Sequence, residues 1–258
     1  MDDMSDMEEL EAAVAAHRRE RLLDRAHEGA VRLEADPRDP VGRGLLGEAV
    51  AGLDPLPAWV AEARDRFLTP VLPDQPIHTG RLLLRPSTED DGEAIHEIYG
   101  RADVSEHLLT EPLTRDQAQV EARRRVRLAS PDDGPPEAFW LVAEHEGRVV
   151  GDTLLIFRPP HYAQAEIGWV LHPEYAGRGL ATEMAGAMLD VAFEHFGVMR
   201  VVAQLDARNT RSAALCERLG MRLEVRARQD FWSKGEWTDS LHYALLAQER
   251  GSAADRSH

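Results

Sequence analysis

The pattern of apolar positions divides the chain into two parts, on either side of a proline-rich stretch at 69–76. Before that stretch, apolar residues recur at helical spacing from Met7 to Leu33, and shorter helical patterns follow at 41–53 and 57–67. Apolar residues three and four positions apart form one stripe of an amphipathic helix. The first part is therefore predicted to be helical throughout.

After the proline-rich stretch, strand and helix patterns alternate. Apolar residues at every second position predict strands, and apolar residues at helical spacing predict helices between them. The strands are RLLLRPS, AFWLVAEH, RVVGDTLLIF, AQAEIGWVLHP, MRVVAQLD, RLEVRARQDF and SLHYALLA, and the helices cover 88–100, 111–129, 179–195 and 211–220. This order predicts an α/β (α+β) fold, in which helices flank a mixed, mostly antiparallel sheet with one strand–helix–strand crossover.

The same patterns predict the domain organisation. A helical N-terminal extension covers 1–75, an α/β domain covers 76–250, and a disordered tail covers 251–258. The extension contains no cluster of His, Cys or carboxylate residues at catalytic spacing. The chemistry of the protein is therefore expected in the α/β domain.

Composition narrows the functional class. The chain has 258 residues, 43% of them hydrophobic, and a formal net charge of -16 that is spread along its length. Such a charge disfavours nucleic acid and anionic membranes as partners and favours a cationic substrate such as an amine. The single cysteine, Cys216, fits a reducing compartment, and no secretory signal or membrane-spanning run is recognised. A cytoplasmic protein is predicted.

The tetrapeptide GRGL occurs twice, at 42–45 and at 177–180. The first copy completes a GxGxxG pattern with Gly47, but the residues before it, EADPRDPV, are unsuited to a buried strand. A dinucleotide-binding motif needs a strand that leads directly into its glycines. The first copy is therefore predicted to be a loop between helices.

The second copy has the setting that the first lacks. The strand EIGWVL precedes it, and the helix at 179–195 follows it. Exposed backbone N–H groups at the start of a helix bind phosphate, and the helix dipole adds to the attraction. Ala181 and Thr182 leave room for a bulky anion, and Arg178 adds positive charge. The second copy is predicted to bind the phosphates of a coenzyme.

Four segments within 77–249 resemble the Gcn5-related N-acetyltransferase (GNAT) superfamily, in particular its ribosomal-protein N-terminal acetyltransferases. The segments are TGRLLLRPSTEDD, AEIGWVLHPEYAGRGLATEM, NTRSAALCERLGM and EWTDSLHYALL, in the order of the family. The resemblance implies that 76–250 is a GNAT acetyltransferase domain. It also implies that an acetyl group passes from acetyl-CoA directly to a primary amine, without an acyl-enzyme.

The resemblance further implies where the coenzyme binds. Family members hold the pyrophosphate on backbone amides and extend the pantetheine arm along a strand. The matching positions are Gly177, Arg178, Gly179, Leu180, Ala181 and Thr182 for the pyrophosphate, and Trp169, Val170, Leu171 and Asn209 for the arm. A backbone N–H near Val170 is expected to polarise the thioester carbonyl.

Glu166 is the predicted general base. Alternation along the strand places it on one face with Gly168 and Val170. The resemblance gives a glutamate at this position the task of removing a proton from the amine. The alternatives are that Glu166 only orients the substrate ammonium, or that it pairs with a surface arginine.

Two residues compete for the task of protonating the departing thiolate. Many family members have a tyrosine seven positions after the asparagine, where this chain has Cys216. Ser212 matches a serine that has been proposed to face the sulfur in the ribosomal-protein branch. The alternatives are a buried apolar filler for Cys216 and a helix cap for Ser212.

The acceptor site is predicted from aromatic residues in the loops RPPHYA and DFWSKGEW, namely Tyr162, Phe231 and Trp232. The acceptor is expected to be the α-amine of a peptide or protein, or a small-molecule amine such as an antibiotic or a polyamine. No metal is predicted, because the histidines show no metal-binding spacing.

The helical extension leaves a second functional class open. A non-catalytic acyl-CoA-sensing or interaction module on the same fold is the alternative, with the extension as its interaction element. In an enzyme, the extension is expected to form a homodimer, to dock on the catalytic domain or to recruit the substrate. Nothing in its residues separates these roles.

Overall fold

The computed structural model describes residues 2–37, 39–68, 73, 76–129, 137–158 and 163–254. The chain divides into two compact units, the first formed by 1–69 with 158–163 and the second by 70–157 with 164–258. No helix among these described residues is long and apolar enough to cross a bilayer.

The described part of the first unit contains α1 (Asp2–Ala35), α2 (Pro40–Gly52) and α3 (Ala58–Phe67), as the helical spacing predicts. The helices bury a common apolar core. Its members are Ala26, Leu33, Leu46, Ala49, Leu53, Val60, Ala63, Phe67 and Leu68. Each fully buried aliphatic or aromatic side chain of this kind contributes about 1.5–3 kcal/mol to folding.

The first GRGL copy lies inside α2, so the loop predicted for it is wrong. The side chain of Asp39 accepts a hydrogen bond from the Val41 amide at 3.0 Å, and a proline occupies the first turn, so the helix begins before the glycines. Gly42 faces α1, where a Cβ would lie 3.1 Å from the carbonyl oxygen of Gly29. These glycines let two helices pack closely.

The second unit is built on an eight-stranded sheet. Its strands are β1 (Ile77–His78), β2 (Leu83–Pro86), β3 (Ala138–His145), β4 (Arg148–Arg158), β5 (Gln164–Leu171), β6 (Arg200–Asp206), β7 (Arg222–Ser233) and β8 (Glu236–Leu246). They lie in chain order from β1 to β6, followed by β8 and then β7. The β5–β6 pair is parallel, whereas β1–β2, β2–β3, β3–β4, β6–β8 and β7–β8 are antiparallel. The predicted fold class is confirmed.

Helices connect these strands and pack on the sheet. They are α4 (Gly92–Tyr99), α5 (Ala102–Ser105), α6 (Arg115–Ala129), α7 (Leu180–Asp190), α8 (Thr210–Arg218) and α9 (Ala247–Ala254). A π-helical turn at Val191–His195 completes the helix predicted at 179–195. The sequence patterns do not predict α5 or β1, which are short. The helix α9 overlaps the predicted disordered tail, whose residues 255–258 lie outside the described residues.

A buried ion pair joins α6 to β4. Arg125, which is 2% exposed, donates from Nη1 to Oδ2 of Asp152 at 3.0 Å, and the Tyr99 hydroxyl donates to Oδ1 at 2.8 Å. Burial alone would lower the pKa of Arg125, but its interactions with Asp152, Tyr99 and Glu121 together outweigh burial and raise this pKa. Because removing Arg125 leaves the buried charge of Asp152 without this ion pair, we expect such a change to cost about 3–5 kcal/mol.

Candidate active site

A cleft opens between β5 and β6, because these parallel strands pair only at their first residues. The paired register ends at Glu166 and Val202, whereas β5 continues to Leu171 and β6 continues to Asp206. Separated strands leave an edge to which an extended ligand can add, as a peptide adds to a sheet. The cleft therefore suits a long, narrow molecule that carries hydrogen-bonding groups.

The backbone N–H and C=O groups of β5 point alternately to β4 and into this cleft. The His172 amide donates to the carbonyl oxygen of Val150 on β4 at 2.7 Å, and the Gly168 carbonyl accepts from Thr153 of β4 at 2.8 Å. Backbone groups of alternate residues point the same way in a strand, so those of Val170 also point to β4. The backbone N–H groups of Trp169 and Leu171 point into the cleft instead. The N–H that is expected near Val170 to polarise the thioester carbonyl is therefore one of these two.

The second GRGL copy forms the turn into α7. Gly177 and Gly179 have φ of 76° and 78°, which glycine adopts without strain. Gly179 is the N-cap of α7 and provides no side-chain cap. The first amides of a helix have no partner within it, so the amides of 180–182 are offered to a ligand. Leu180, 1% exposed, anchors this turn in the core.

Arg81 braces the same turn. Its Nη1 donates to the carbonyl oxygen of Arg178 at 2.7 Å, and its Nε donates to Oε2 of Glu183 at 2.8 Å. The Thr79 hydroxyl and the Arg81 amide each donate to Oε1 of Glu183 at 2.6 Å. Burial alone would raise the pKa of Glu183, but these hydrogen bonds outweigh burial and lower this pKa. The turn is thus fixed by a carboxylate that stays ionised.

Glu166 lies at the closed end of the cleft and is half-buried. Val170 belongs to one buried apolar cluster with Ile98 of α4 and Ala122 of α6. Alternation along β5 places Glu166 on the same face as Val170, towards these two helices. Its assignment as the general base stays a prediction.

Ser212 and Trp169 meet on the opposite face of the sheet. Nε1 of Trp169 donates to Oγ of Ser212 at 3.3 Å, which joins β5 to α8 across the cleft. The N-cap of α8 is Asn209, whose side-chain oxygen accepts from the Ser212 amide at 3.0 Å. The capping alternative for Ser212 is therefore wrong, because Asn209 performs it. Residues from two predicted segments thus form one hydrogen-bonded group.

Cys216 lies one turn further along α8. Its side chain is fully buried, and burial raises the pKa of its thiol to about 12. A thiol without exposed surface does not reach a molecule in the cleft. The structure therefore favours the filler alternative for Cys216 and leaves Ser212 as the group that faces the cleft.

A cavity of about 450 Å³ lies beside the tip of the β7–β8 hairpin. It is lined by Glu106, His107, Arg208, Ser233, Lys234 and Glu236. Nη2 of Arg208 lies 2.6 Å from Oδ2 of Asp206, and Nη1 of Arg208 lies 2.7 Å from Oε1 of Glu236. Lys234 donates to the carbonyl oxygen of Ser105 at the end of α5. The cavity therefore carries charges of both signs.

The aromatic residues predicted in an acceptor loop lie in a strand. β7 extends past Phe231 and Trp232, so their loop assignment is wrong. The hairpin continues to a tight turn, in which Lys234 and Gly235 have φ of 48° and 85°. Trp232 pairs across the hairpin with Trp237 at 5.4 Å between ring centroids, and each is 57% exposed. The paired rings form an exposed apolar surface on the hairpin.

Two further predictions depend on which residues are described. Tyr162, a predicted acceptor residue, lies outside the described residues. Within the ranges that are described, no three His, Cys, Asp or Glu side chains form a group that could hold a metal ion.

The family model of the acetyltransferase (GNAT) domain matches residues 81–222, more than half of the chain. The match contains the cleft, the second GRGL copy and the Trp169–Ser212 contact. This chain belongs to the GNAT acetyltransferase family.

Known N-acetyltransferases are similar to about two thirds of this chain. The uncharacterized N-acetyltransferase YnaD of Bacillus subtilis (strain 168) is 27% identical over 173 residues, covering 67% of this chain and 98% of the relative. The structure of RimL, a ribosomal L7/L12 alpha-N-protein acetyltransferase in complex with coenzyme A, has a TM-score of 0.61 at 19% identity, covering 67% of this chain and 98% of that one. Spermidine N-acetyltransferase from Vibrio cholerae, in complex with CoA and spermine, has a TM-score of 0.58 at 20% identity, covering 67% and 99%.

Membership of the GNAT family makes the chain an N-acetyltransferase, so the non-catalytic alternative is not favoured. The sequence patterns do not predict those residues of the site whose partners are far away in the sequence. Arg81 lies in the quoted TGRLLLR segment, but 102 positions separate it from Glu183. The cavity residues also come from separate segments, and only the strand–turn–strand pattern around SKGE could have indicated their hairpin.

Proposed function

We propose that this GNAT enzyme transfers the acetyl group of acetyl-CoA to the α-amine of a polypeptide. One observation carries the proposal: an uncapped helix start follows directly on a strand whose edge is free along a cleft. Backbone amides at a helix start suit a pyrophosphate, and a free strand edge suits the amide-containing pantetheine arm.

The residues present fit acetyl-CoA. The turn 177–179 and the amides of 180–182 would hold the pyrophosphate, and the guanidinium of Arg178, held 5.4 Å from the ring centroid of Tyr175, adds positive charge. The pantetheine arm would pair with the backbone of Trp169 and Leu171, which faces the cleft. Coenzyme A in the similar RimL and Vibrio cholerae structures supports this choice. Acetyl-CoA supplies a thioester that an amine can attack.

Glu166 then acts as the general base. An amine is protonated at neutral pH, and it becomes a nucleophile only after a positioned group takes the proton. Glu166 faces α4 and α6, and the cavity begins where α5 ends, so the acceptor reaches the cleft from the same side. An N–H of Trp169 or Leu171 polarises the carbonyl under attack.

Ser212 acts on the other side of the sheet. Its hydroxyl donates a hydrogen bond to the sulfur as the carbon–sulfur bond breaks. Because an ordinary thiol has a pKa of about 8.5, the sulfur leaves as a stabilised thiolate and takes its proton from solvent. Base and donor thus approach the reacting carbonyl from opposite faces.

The cavity favours a polypeptide as the acceptor. A polycation such as spermidine is best held by carboxylates alone, whereas this cavity also contains Arg208 and Lys234. A peptide has N–H and C=O groups that suit both signs of charge.

A mass-spectrometric assay tests the acceptor. The protein and acetyl-CoA are incubated with peptides that have a free N-terminus, with the same peptides blocked at the N-terminus, with spermidine and with an aminoglycoside. We expect acetylation of the free peptides only. Acetylation of spermidine or the aminoglycoside alone contradicts the acceptor, and no release of CoA with any amine contradicts the function.

A substitution tests the base. Glu166→Gln keeps the size of the side chain and removes its basicity, so kcat is expected to fall about a hundredfold or more, with little change in the KM for acetyl-CoA. Glu62→Gln, on the exposed face of α3, is the matched control. Wild-type turnover of the Glu166→Gln enzyme across the pH range would contradict the assignment of Glu166 as the general base.

A further inference from the structure

The indole of Trp169 makes a contact that the proposed function leaves unused. The residue is half-buried on β5, on the face opposite to Glu166, and its Nε1 lies 3.3 Å from Oγ of Ser212. The coenzyme arm needs only the backbone of Trp169. Its side chain therefore needs a separate explanation.

The direction of this hydrogen bond is fixed by chemistry. An indole N–H donates and cannot accept, so the Ser212 oxygen is the acceptor. The Ser212 amide is also engaged, because Asn209 accepts from it at 3.0 Å. Neither contact uses the hydroxyl proton of Ser212. That proton remains for a third partner.

Without the indole, the hydroxyl has a competing partner nearby. Serine side chains in helices turn to donate to a carbonyl oxygen of the preceding turn. A hydrogen bond received from Trp169 occupies one lone pair on Oγ and restricts this rotation. It also polarises the hydroxyl, because chained hydrogen bonds strengthen one another.

We propose that Trp169 is a positioning residue that aims the hydroxyl of Ser212 at the sulfur of the departing thiolate. This inference rests on the proposed function. The substrate ammonium first gives one proton to Glu166, which passes it to solvent. The neutral nitrogen then bonds to the carbonyl carbon and gives a second proton to Glu166, while the electron pair of the carbon–sulfur bond stays on sulfur. Ser212 donates a hydrogen bond to that charge while Trp169 donates to Ser212. The sulfur then takes a proton from solvent, and Glu166 returns its proton to solvent.

A double-mutant cycle tests the inference with the full-length enzyme and the best acceptor from the peptide panel. Trp169→Phe keeps an aromatic ring and removes the donor, and Ser212→Ala removes the hydroxyl. We expect kcat to fall about tenfold in Trp169→Phe and about thirtyfold in Ser212→Ala, as for the loss of one hydrogen bond to a neutral and to a charged group. The KM for acetyl-CoA should change by less than about twofold.

The decisive comparison is the double variant. If Trp169 acts through Ser212, then adding Trp169→Phe to Ser212→Ala causes no further loss of kcat. Ser212→Thr, which retains a hydroxyl, should recover part of the activity only when Trp169 is present. Trp59→Phe, in α3, controls for the general effect of replacing a tryptophan. If thermal melting shows that Trp169→Phe fails to fold, Trp169→Met replaces it as a second variant without the donor.

Two outcomes overturn the inference. Wild-type kcat in a folded Trp169→Phe enzyme shows that the indole positions nothing. Equal losses from Trp169→Phe in the presence and absence of the Ser212 hydroxyl show that the indole acts independently of Ser212. Both differ from failure of the proposed function, in which the wild-type enzyme itself releases no CoA.

Discussion

The two GRGL copies differ in almost every structural respect. The copy at 42–45 is helical, and its Arg43 is 8% exposed and donates to the carbonyl oxygen of Pro37 at 3.1 Å. The copy at 177–180 turns through two left-handed glycines, and its Arg178 is exposed. The first copy buries its backbone between helices, and the second presents backbone amides to a ligand.

The difference lies in what precedes each copy. Asp39 caps α2, so the following glycines continue a helix that has already begun. β5 and a short 3₁₀ turn at Pro173–Tyr175 lead into Gly177, so those glycines have to reverse the chain before α7 begins. A glycine therefore serves close packing in the first copy and a left-handed backbone in the second.

The largest effect is expected from a substitution that disrupts the helix packing around the first copy. A Cβ on Gly29 would lie 2.7 Å from the Leu46 amide nitrogen and 2.8 Å from the Gly42 carbonyl oxygen. We expect Gly29→Ala to destabilise the first unit by about 2–3 kcal/mol, which is a typical cost of overpacking. Hydrogen exchange measured by mass spectrometry on α1 and α2 peptides should accelerate accordingly. Unchanged exchange would contradict the close approach.

The next effect concerns the second copy. At Gly179 a Cβ would lie 3.4 Å from Nη2 of Arg81, an acceptable contact, so backbone strain alone should act in Gly179→Ala. A left-handed non-glycine residue costs about 1–2 kcal/mol, so we expect acetyl-CoA to bind about 5–30-fold more weakly. Isothermal titration calorimetry measures this change. Wild-type affinity would show that the turn does not hold the coenzyme.

The hydrogen bonds that Arg81 and Thr79 donate to Glu183 hold the second copy in place, and they predict that the stability of the protein depends on pH. The pKa of Glu183 is lower in the folded protein, so its contribution is present above the ordinary carboxyl pKa and is lost as the pH falls through the folded value. Glu183→Gln should cost about 1 kcal/mol at pH 7, a decrease in Tm of about 2–4 °C. The difference from wild type should shrink as the pH falls below about 4. A constant difference over this range would contradict the assignment.

The smallest effect has the opposite sign. Gly44 lies in α2 and a Cβ there would meet no atom within 4 Å. Because alanine is a better helix former than glycine, Gly44→Ala should stabilise the first unit by about 0.5–1 kcal/mol. Denaturant unfolding followed by circular dichroism checks this gain. A loss of stability would indicate that this glycine is required as a turn.

Long periodic patterns were sufficient to predict most of the second unit. The helix opened by Thr88 and closed by Gly100 is present as a 3₁₀ turn followed by α4. The hairpin across Glu146 and Gly147 has the left-handed turn that such a pair forms. The second GRGL copy could be predicted because its strand and helix are adjacent to it in the chain.

The features that could not be predicted depend on distant partners. Gly42 allows α1 to approach closely, and Arg125 is buried beside the opposite charge of Asp152 on β4. Neither partner is adjacent in sequence. Local polarity also misplaced Trp232, because SKGE continues the hairpin as a tight turn and extends both strands beyond the predicted ends. In the candidate site, the Trp169–Ser212 contact could not be predicted for the same reason, because its two residues are distant in the sequence.

Amide hydrogen exchange with and without acetyl-CoA tests the central assignment most directly. We predict slower exchange of the amides at 177–182 when acetyl-CoA is present, beyond any change in the β3 strand, which reports general stabilisation of the same unit. The amides at 42–47 should not change. Slower exchange at 42–47 with no change at 177–182 would contradict the account.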